Sequence, residues 1–162
     1  MATVRRQIAL YTEGSPIDDT NRRLLDELQA DARISLAELG RRVGLSSPAV
    51  AERLGRLERD GVILGYHARI DPRALGLALS VVIRVRPAPR QLKQVASVAQ
   101  ESAEVVECRR ITGEDCFVML AHVRGVEHLE ELIDRFAAHG QTTTSIVQSA
   151  PVPPRGIDLG TA

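Results

Sequence analysis

The sequence predicts an α+β protein, an N-terminal winged helix-turn-helix followed by a C-terminal ferredoxin-like βαββαβ domain. Three observations predict it. Between residues 17 and 59, apolar residues recur at helical spacing in three short segments, the last two separated by a glycine. From residue 79 the apolar period changes in the order strand, helix, strand, strand, helix, strand. Glycine and proline punctuate the boundaries at Asp71-Pro72, Gly113, Gly125 and Gly140.

Residues 1–16 show no period and end in Gly14-Ser15-Pro16, which reads as a flexible N-terminal arm. Asp18 then caps a helix that buries Leu24, Leu25 and Leu28, and Asp18 and Asp19 suit its positive end. Ser35-Leu36-Ala37-Glu38 has capping-box spacing, the serine bonding forward and the glutamate reaching back. The helix it opens buries Leu36, Leu39 and Val43, and Gly44 stops it in a left-handed conformation. Ser47 is the expected N-cap of a third helix, with Pro48 at its first position, where no backbone N–H is needed. Val50, Leu54 and Leu57 form its buried seam; Glu52, Arg56 and Arg59 point the opposite way, with Arg53 on the flank. Val62 to Ile70, turning at Gly65, reads as a short hairpin that completes a domain over residues 17–70.

Residues 71–77 are a connector to a second domain, residues 78–150. Its expected strands are Leu79 to Arg86, Val105 to Thr112, Cys116 to Val123 and Thr142 to Gln148. One expected helix carries Leu92, Val95, Ala96 and Ala99. The other carries Val126, Leu129, Leu132, Ile133 and Phe136 and is stopped by Gly140. Right-handed crossovers put both helices on one face of the sheet. Phe117, Met119, Ala121 and Val123 point one way and Val118 and Leu120 the other, with Val82 adding to whichever face is opposite Val81 and Ile83. That apolar set predicts a covered face, most simply in a sheet-on-sheet homodimer. The Pro-rich end, residues 151–162, reads as a flexible tail.

Composition narrows the function classes. Hydrophobic content of 44% and charge of 26% exclude wholesale disorder. Two Phe, two Tyr and no Trp offer no stacking platform for single-stranded nucleic acid. The formal net charge is zero, yet residues 40–59 hold Arg41, Arg42, Arg53, Arg56 and Arg59 against Glu52 and Glu58, a local balance of +3. No apolar run approaches the roughly 18 residues that span a bilayer, and the N-terminal stretch is no signal peptide. The expectation is a cytoplasmic protein without membrane attachment.

Two short helices joined through Gly44, the second presenting arginine on its far face, fit a motif that reads double-stranded DNA in the major groove. The residues from Ile17-Asp18-Asp19 through Arg22-Arg23-Leu24-Leu25, Leu28-Gln29-Ala30-Asp31-Ala32-Arg33-Ile34-Ser35 and Glu38-Leu39 resemble the feast/famine, or Lrp/AsnC, family of transcriptional regulators. So does the continuation, Val43-Gly44-Leu45-Ser46, Val50, Arg53-Leu54, Arg56-Leu57-Glu58, Gly61-Val62-Ile63, Gly65-Tyr66 and Ala68. The similarity runs from about residue 17 to 150. It implies DNA-facing residues Ser46, Ser47, Pro48, Ala49, Glu52, Arg53 and Arg56. Glu52 would accept from a cytosine amino group or orient Arg56, four residues on, and its spacing favours the second role. Arg53 lies nearer the buried face, where a structural role is the alternative.

The resemblance also implies dimers that assemble into tetramers or octamers, and an effector site around the turn between the second and third strands of the C-terminal domain. Here that turn holds Thr112, Gly113, Glu114, Asp115 and Cys116. Backbone N–H groups and the Thr112 hydroxyl suit a ligand carboxylate, and Glu114 or Asp115 an ammonium. The family commonly carries aspartate where this chain has Cys116, with Asp115 one place early. The expected function is a sequence-specific regulator whose assembly and DNA binding respond to an amino acid or related metabolite. Its operator should be roughly palindromic. The alternative is an architectural DNA-binding protein with no effector.

No enzyme, cofactor or metal is expected. Cys108 should fall beside Met119 or Leu120, away from Cys116, so no disulfide is expected. His67, His122, His128 and His139 lie in separate elements without metal-ligand spacing.

Overall fold

The computed structural model describes residues 17–160; the expected N-terminal arm lies outside them. Contacts divide the chain into two compact units. One runs up to His67 and takes in Pro154 onward; the other is Ala68–Pro153.

The first unit contains α1 (Asp19–Ala30), α2 (Leu36–Val43) and α3 (Ser47–Arg59). Asp18 caps α1, accepting from the Asn21 N–H at 2.6 Å. Ser35 caps α2 as expected, accepting from the Glu38 N–H, and Gly44 ends it in the left-handed region at φ 76°. The Glu38 side chain does not reach back; it pairs with Arg42 at 2.7 Å and with Arg41, cations one turn along the same helix. The cap of α3 is Ser46, one residue before the expected Ser47. The Ser46 hydroxyl accepts from the Ala49 N–H, and its carbonyl closes the first turn with Val50. Pro48 therefore sits at the second helical position, where an N–H is also unused.

Leu24, Leu39, Val43, Val50, Leu54 and Leu57 form the core of this unit, with Leu25 and Leu28 partly buried against it. Leu36, expected inside, is 42% exposed because α2 begins at that residue and meets the core only from Leu39. Gly40 is buried where the chain doubles back; a Cβ there would lie 2.4 Å from the Leu45 carbonyl oxygen.

The expected hairpin over Val62 to Ile70 does not form; among the described residues these make no strand. The Val62 and Ile63 N–H groups bond back to the Leu57 carbonyl, at 2.8 and 3.1 Å, and are spent on closing α3. Tyr66 donates its hydroxyl to Glu58 instead of entering a ladder.

The tail, expected to be loose, is tied to α1. Gln29 donates to the Ile157 carbonyl at 3.0 Å and accepts from the Ile157 N–H at 2.6 Å, so one side-chain amide acts as a strand partner. Arg22 donates to the Leu159 carbonyl at 3.0 Å. Leu25, Leu28, Val62, Ile63, Ile157 and Leu159 line a cleft of about 400 Å³ beside this contact.

The second unit opens with a 3-10 turn, Pro72–Leu75, capped by Asp71. It continues with β1 (Leu79–Pro87), α4 (Leu92–Glu101), β2 (Val105–Arg110), β3 (Phe117–Val123), α5 (Val126–Ala137) and β4 (Gly140–Ile146). The sheet order is β2-β3-β1-β4, every adjacent pair antiparallel, which is the ferredoxin-like arrangement. The core joins Val81, Ile83 and Val85 of β1 and the alternate residues Phe117, Met119, Ala121 and Val123 of β3 to Val95, Ala99, Leu129, Leu132 and Phe136 of the helices. Burying each of these side chains other than the two alanines contributes about 1.5–3 kcal/mol.

Three expectations need correction. Val126 is 56% exposed because it is the first residue of α5. Gly140 does not stop that helix, whose C-cap is Ala138. It opens β4, where a Cβ would lie 2.3 Å from the Arg86 carbonyl oxygen. The turn between β2 and β3 is longer than expected, because the strands end at Arg110 and begin at Phe117. Cys108 faces Met119 across the β2–β3 ladder, as the sequence indicated.

A polar cluster closes one side of this core. The Glu104 carboxylate accepts from Arg135 at 2.7 Å and lies 2.8 Å from His128 Nε2. His128 Nδ1 accepts from the Arg124 N–H, which leaves the ring proton on Nε2 to donate to Glu104. His122 and His139 are similarly engaged, with Ser80 and Gln91. Burial opposes the charge on Glu104. Donation from Arg135, its own backbone N–H and His128 outweighs that and holds the carboxyl at about 2, against an ordinary 4.5.

Two outcomes follow. The stability that ionised Glu104 contributes is present above pH 4.5 and is lost as pH falls from there toward 2. The acid limb of a melting-temperature profile should therefore be shallower in Glu104→Gln than in wild type. In hydrogen–deuterium exchange the Ile157 amide should be protected in wild type and exchange freely in Gln29→Ala.

Candidate DNA-reading helix and effector turn

The outer face of α3 begins at its cap. Ser46 and Pro48 are exposed, Ser47 and Ala49 half-buried, and Ser46 is engaged in capping. One turn on, Glu52 and Arg56 are exposed and pair at 3.3 Å, with Arg56 65% exposed. Glu52 is thus within reach of Arg56 at the four-residue spacing. Three residues short of Arg56, Arg53 is held. Its guanidinium donates to Asp18 at 2.7 Å and to the Asn21 side-chain oxygen at 3.0 Å. The arginine that shares the α3 flank is thus a tie to the start of α1. Donation from Arg53 and from the Asn21 N–H holds the Asp18 carboxyl below its ordinary 3.8. Asp18 therefore caps α1 and anchors α3 at once. The sequence displayed the cap but not the anchor, since the two residues are 35 positions apart.

A second tie braces the other end of α2. Arg42 reaches Glu27 of α1 at 2.6 Å as well as Glu38, while Arg23 donates to the Arg42 carbonyl at 2.8 Å. Two of the arginines behind the local positive balance, Arg42 and Arg53, are thus engaged in holding the helices together.

In the other unit, the turn between β2 and β3 closes with the Ile111 N–H on the Cys116 carbonyl at 2.9 Å. Gly113 takes φ 107°, a conformation that favours glycine. Thr112 and Glu114 are exposed. Cys116 packs partly against the core cluster, so the position where the resemblance placed an acid is turned to an apolar use. The two acids of the turn already have partners. Asp115 lies 3.7 Å from Arg84, and Glu114 pairs with Arg86. Neither arginine was singled out from the sequence. Their alternation with Val81, Ile83 and Val85 marked their face of β1, but only the register brings them to the turn.

Val118 and Leu120 are half-buried on the side of the sheet away from the helices, and Val82 stands opposite Leu120 in the β1–β3 ladder. Among the described residues, no group of three or more His, Cys, Asp or Glu is placed to hold a metal ion, and no helix is long and apolar enough to cross a membrane.

Comparison with known proteins decides what this pairing of units is. Residues 17–58 match the family model of the AsnC-type helix-turn-helix domain, and residues 80–157 match that of the Lrp/AsnC ligand binding domain. The chain belongs to the Lrp/AsnC family. It is 40% identical over 134 residues to the HTH-type transcriptional regulator YezC of Bacillus subtilis, covering 83% of this chain and 95% of that one. It is 39% identical over 134 residues to the HTH-type transcriptional regulator LrpA of Mycobacterium tuberculosis, covering 81% and 89%. The crystal structure of M. tuberculosis LrpA superposes with a TM-score of 0.77 at 37% identity, covering 86% of this chain and 98% of that one. A feast or famine regulatory protein from M. tuberculosis complexed with L-methionine superposes with a TM-score of 0.81 at 36% identity, covering 87% and 98%. Lrp/AsnC proteins are transcriptional regulators and not enzymes, so the helix-turn-helix is a DNA-binding unit and the βαββαβ unit a ligand-binding one.

The tie between α1 and α3 gives a stability prediction. Asp18→Ala removes a cap and the Arg53 partner together and should cost about 1–2 kcal/mol. Arg53→Ala should destabilise by about 1 kcal/mol. Chemical denaturation of each variant measures both. If Asp18→Ala and Arg53→Ala combine additively, the two residues do not interact.

Proposed function

We propose that the chain binds double-stranded DNA through the outer face of α3, acts as a homodimer formed across the bare side of its sheet, and changes its DNA binding when an amino acid occupies the 112–116 turn. One observation carries the DNA reading. Pro48 near the start of α3, Glu52 one turn on and Arg56 in its last turn stand exposed along one face, opposite a buried Val50, Leu54 and Leu57 seam. A recognition helix reads base edges with the residues near its N-terminus and meets phosphate with arginine. In this proposal Ser46, Ser47, Pro48 and Ala49 lie at the groove, Arg56 contacts the DNA with Glu52 orienting it, and Arg53 acts by fixing the angle of α3.

The apolar Val82, Val118 and Leu120 support a sheet-on-sheet partner, and a second copy of this chain supplies an identical face. A dimer presents two reading helices, which fits a palindromic operator with half-sites about one helical turn or a multiple apart. The relative complexed with L-methionine supports an amino acid as the ligand class. A ligand shifts DNA binding only through unequal affinity for the states that differ in it.

Fluorescence anisotropy with operator DNA tests the reading. Arg56→Ala should lose about 1–3 kcal/mol of binding with an unchanged melting temperature. Leu120→Asp should sediment as monomer, since an unpaired charge in a buried face is costly, and should bind DNA weakly. Unchanged affinity in Arg56→Ala removes that residue from the interface, and a monomeric wild type at micromolar concentration removes the dimer.

A further inference from the structure

We propose that Arg84 and Arg86 are the carboxylate-binding half of the effector site, and that the site selects a zwitterion by exchanging both of its internal ion pairs at once. The proposal rests on the reading of the 112–116 turn as the effector site and assigns its carboxylate partner to β1, in place of the backbone N–H groups and Thr112.

Register puts the four charges together. Val85 of β1 stands opposite Phe117, the first residue of β3, so β1 runs on past the start of β3 and carries Arg86 alongside the turn. Arg84, two residues earlier, shares the side of the sheet away from the helices, about 6.6 Å away along the strand. Arg84 lies 3.7 Å from Asp115, and Arg86 pairs with Glu114. The result is two guanidinium groups side by side and two carboxylates facing them. Thr143 and Gln141 of β4 stand opposite Arg84 and Arg86 and add no charge.

These pairs are built to open. In the single chain both arginines are nearly half exposed and Glu114 is 81% exposed, and ion pairs in such surroundings contribute little net stability. The Arg84–Asp115 separation is also longer than a direct charge-assisted hydrogen bond. A guanidinium fork takes a free carboxylate in two parallel hydrogen bonds. A carboxylate ligand without an ammonium would strand Glu114 and Asp115. An amine without a carboxylate would strand the arginines. A zwitterion offers one anion to the two arginines and one cation to the two acids, so neither side is left without a counter-charge, and selectivity comes from the penalty on ligands of one charge.

Calorimetric titration of the full chain tests this. The twenty L-amino acids are titrated, then the carboxamide and the N-acetyl derivative of each that binds. Each derivative should bind at least tenfold more weakly than its amino acid. Arg84→Gln with Arg86→Gln should weaken the amino acid at least tenfold and should not weaken the carboxamide, which has no carboxylate to lose and no longer strands an arginine. Asp115→Asn should show the converse, weakening the amino acid and sparing the N-acetyl derivative. A double arginine variant that binds the amino acid as wild type does overturns the assignment; if Asp115→Asn has meanwhile lost binding, the turn stands as the effector site. Wild type that binds no amino acid overturns both readings. Should the double variant fail to melt cooperatively, Arg84→Lys, which keeps the charge and loses the fork, should weaken the amino acid severalfold, and wild-type binding there counts against the proposal.

Discussion

β1 is hydrogen-bonded on both sides, to β3 and to β4, and the alternation of its side chains sets what each side of the sheet is for. Val81, Ile83 and Val85 are fully buried against the helices. Ser80, Val82, Arg84 and Arg86 occupy the other side, apolar at Val82 and charged at the end that reaches the β2–β3 turn. Sliding the pairing by one residue would exchange the two sets and put arginine into the core, so the hydrophobic requirement alone locks the register. The apolar patch proposed to meet a second subunit and the charge array beside the β2–β3 turn are both consequences of that lock.

The DNA-binding unit has a comparable constraint on a smaller scale. Among the described residues its three helices bury only six apolar side chains, a small core for fixing interhelical angles by packing. Long-range polar ties supply the rest: Arg53 to Asp18 and Asn21, Arg42 to Glu27, and Gln29 and Arg22 to the returning tail. Gly40 allows the Leu45 carbonyl to approach α2 closely enough for the turn between α2 and α3 to close. The face of α3 proposed to read DNA is what remains after these demands are met.

Much of the charge in this chain is internal accounting of that kind. With 21 basic and 21 acidic residues the formal net charge is zero, and several of the arginines in the helix-turn-helix and around the β2–β3 turn have carboxylate partners. A neutral total is therefore compatible with DNA binding, because phosphate meets the few cations displayed on one helix face and not the sum.

The order of elements was legible in the sequence, because helical and strand periods and their caps are local properties. Asp18, Ser35, Gly44, the Val50–Leu54–Leu57 seam and the alternation in β3 all stand where the residues placed them. Which side of the sheet each strand residue faces followed from the same alternation. What failed was local chemistry overruled by neighbours: the Val62 to Ile70 hairpin gave its first N–H groups to the end of α3, and Glu38 preferred arginine to its own cap. What no local pattern contained were the ties between residues far apart in the chain, Arg53 with Asp18, Gln29 with Ile157, Arg84 with Asp115 and Glu104 with Arg135. A side chain's period reports which face it occupies. Its partner depends on register and helix packing, and only the folded chain sets those.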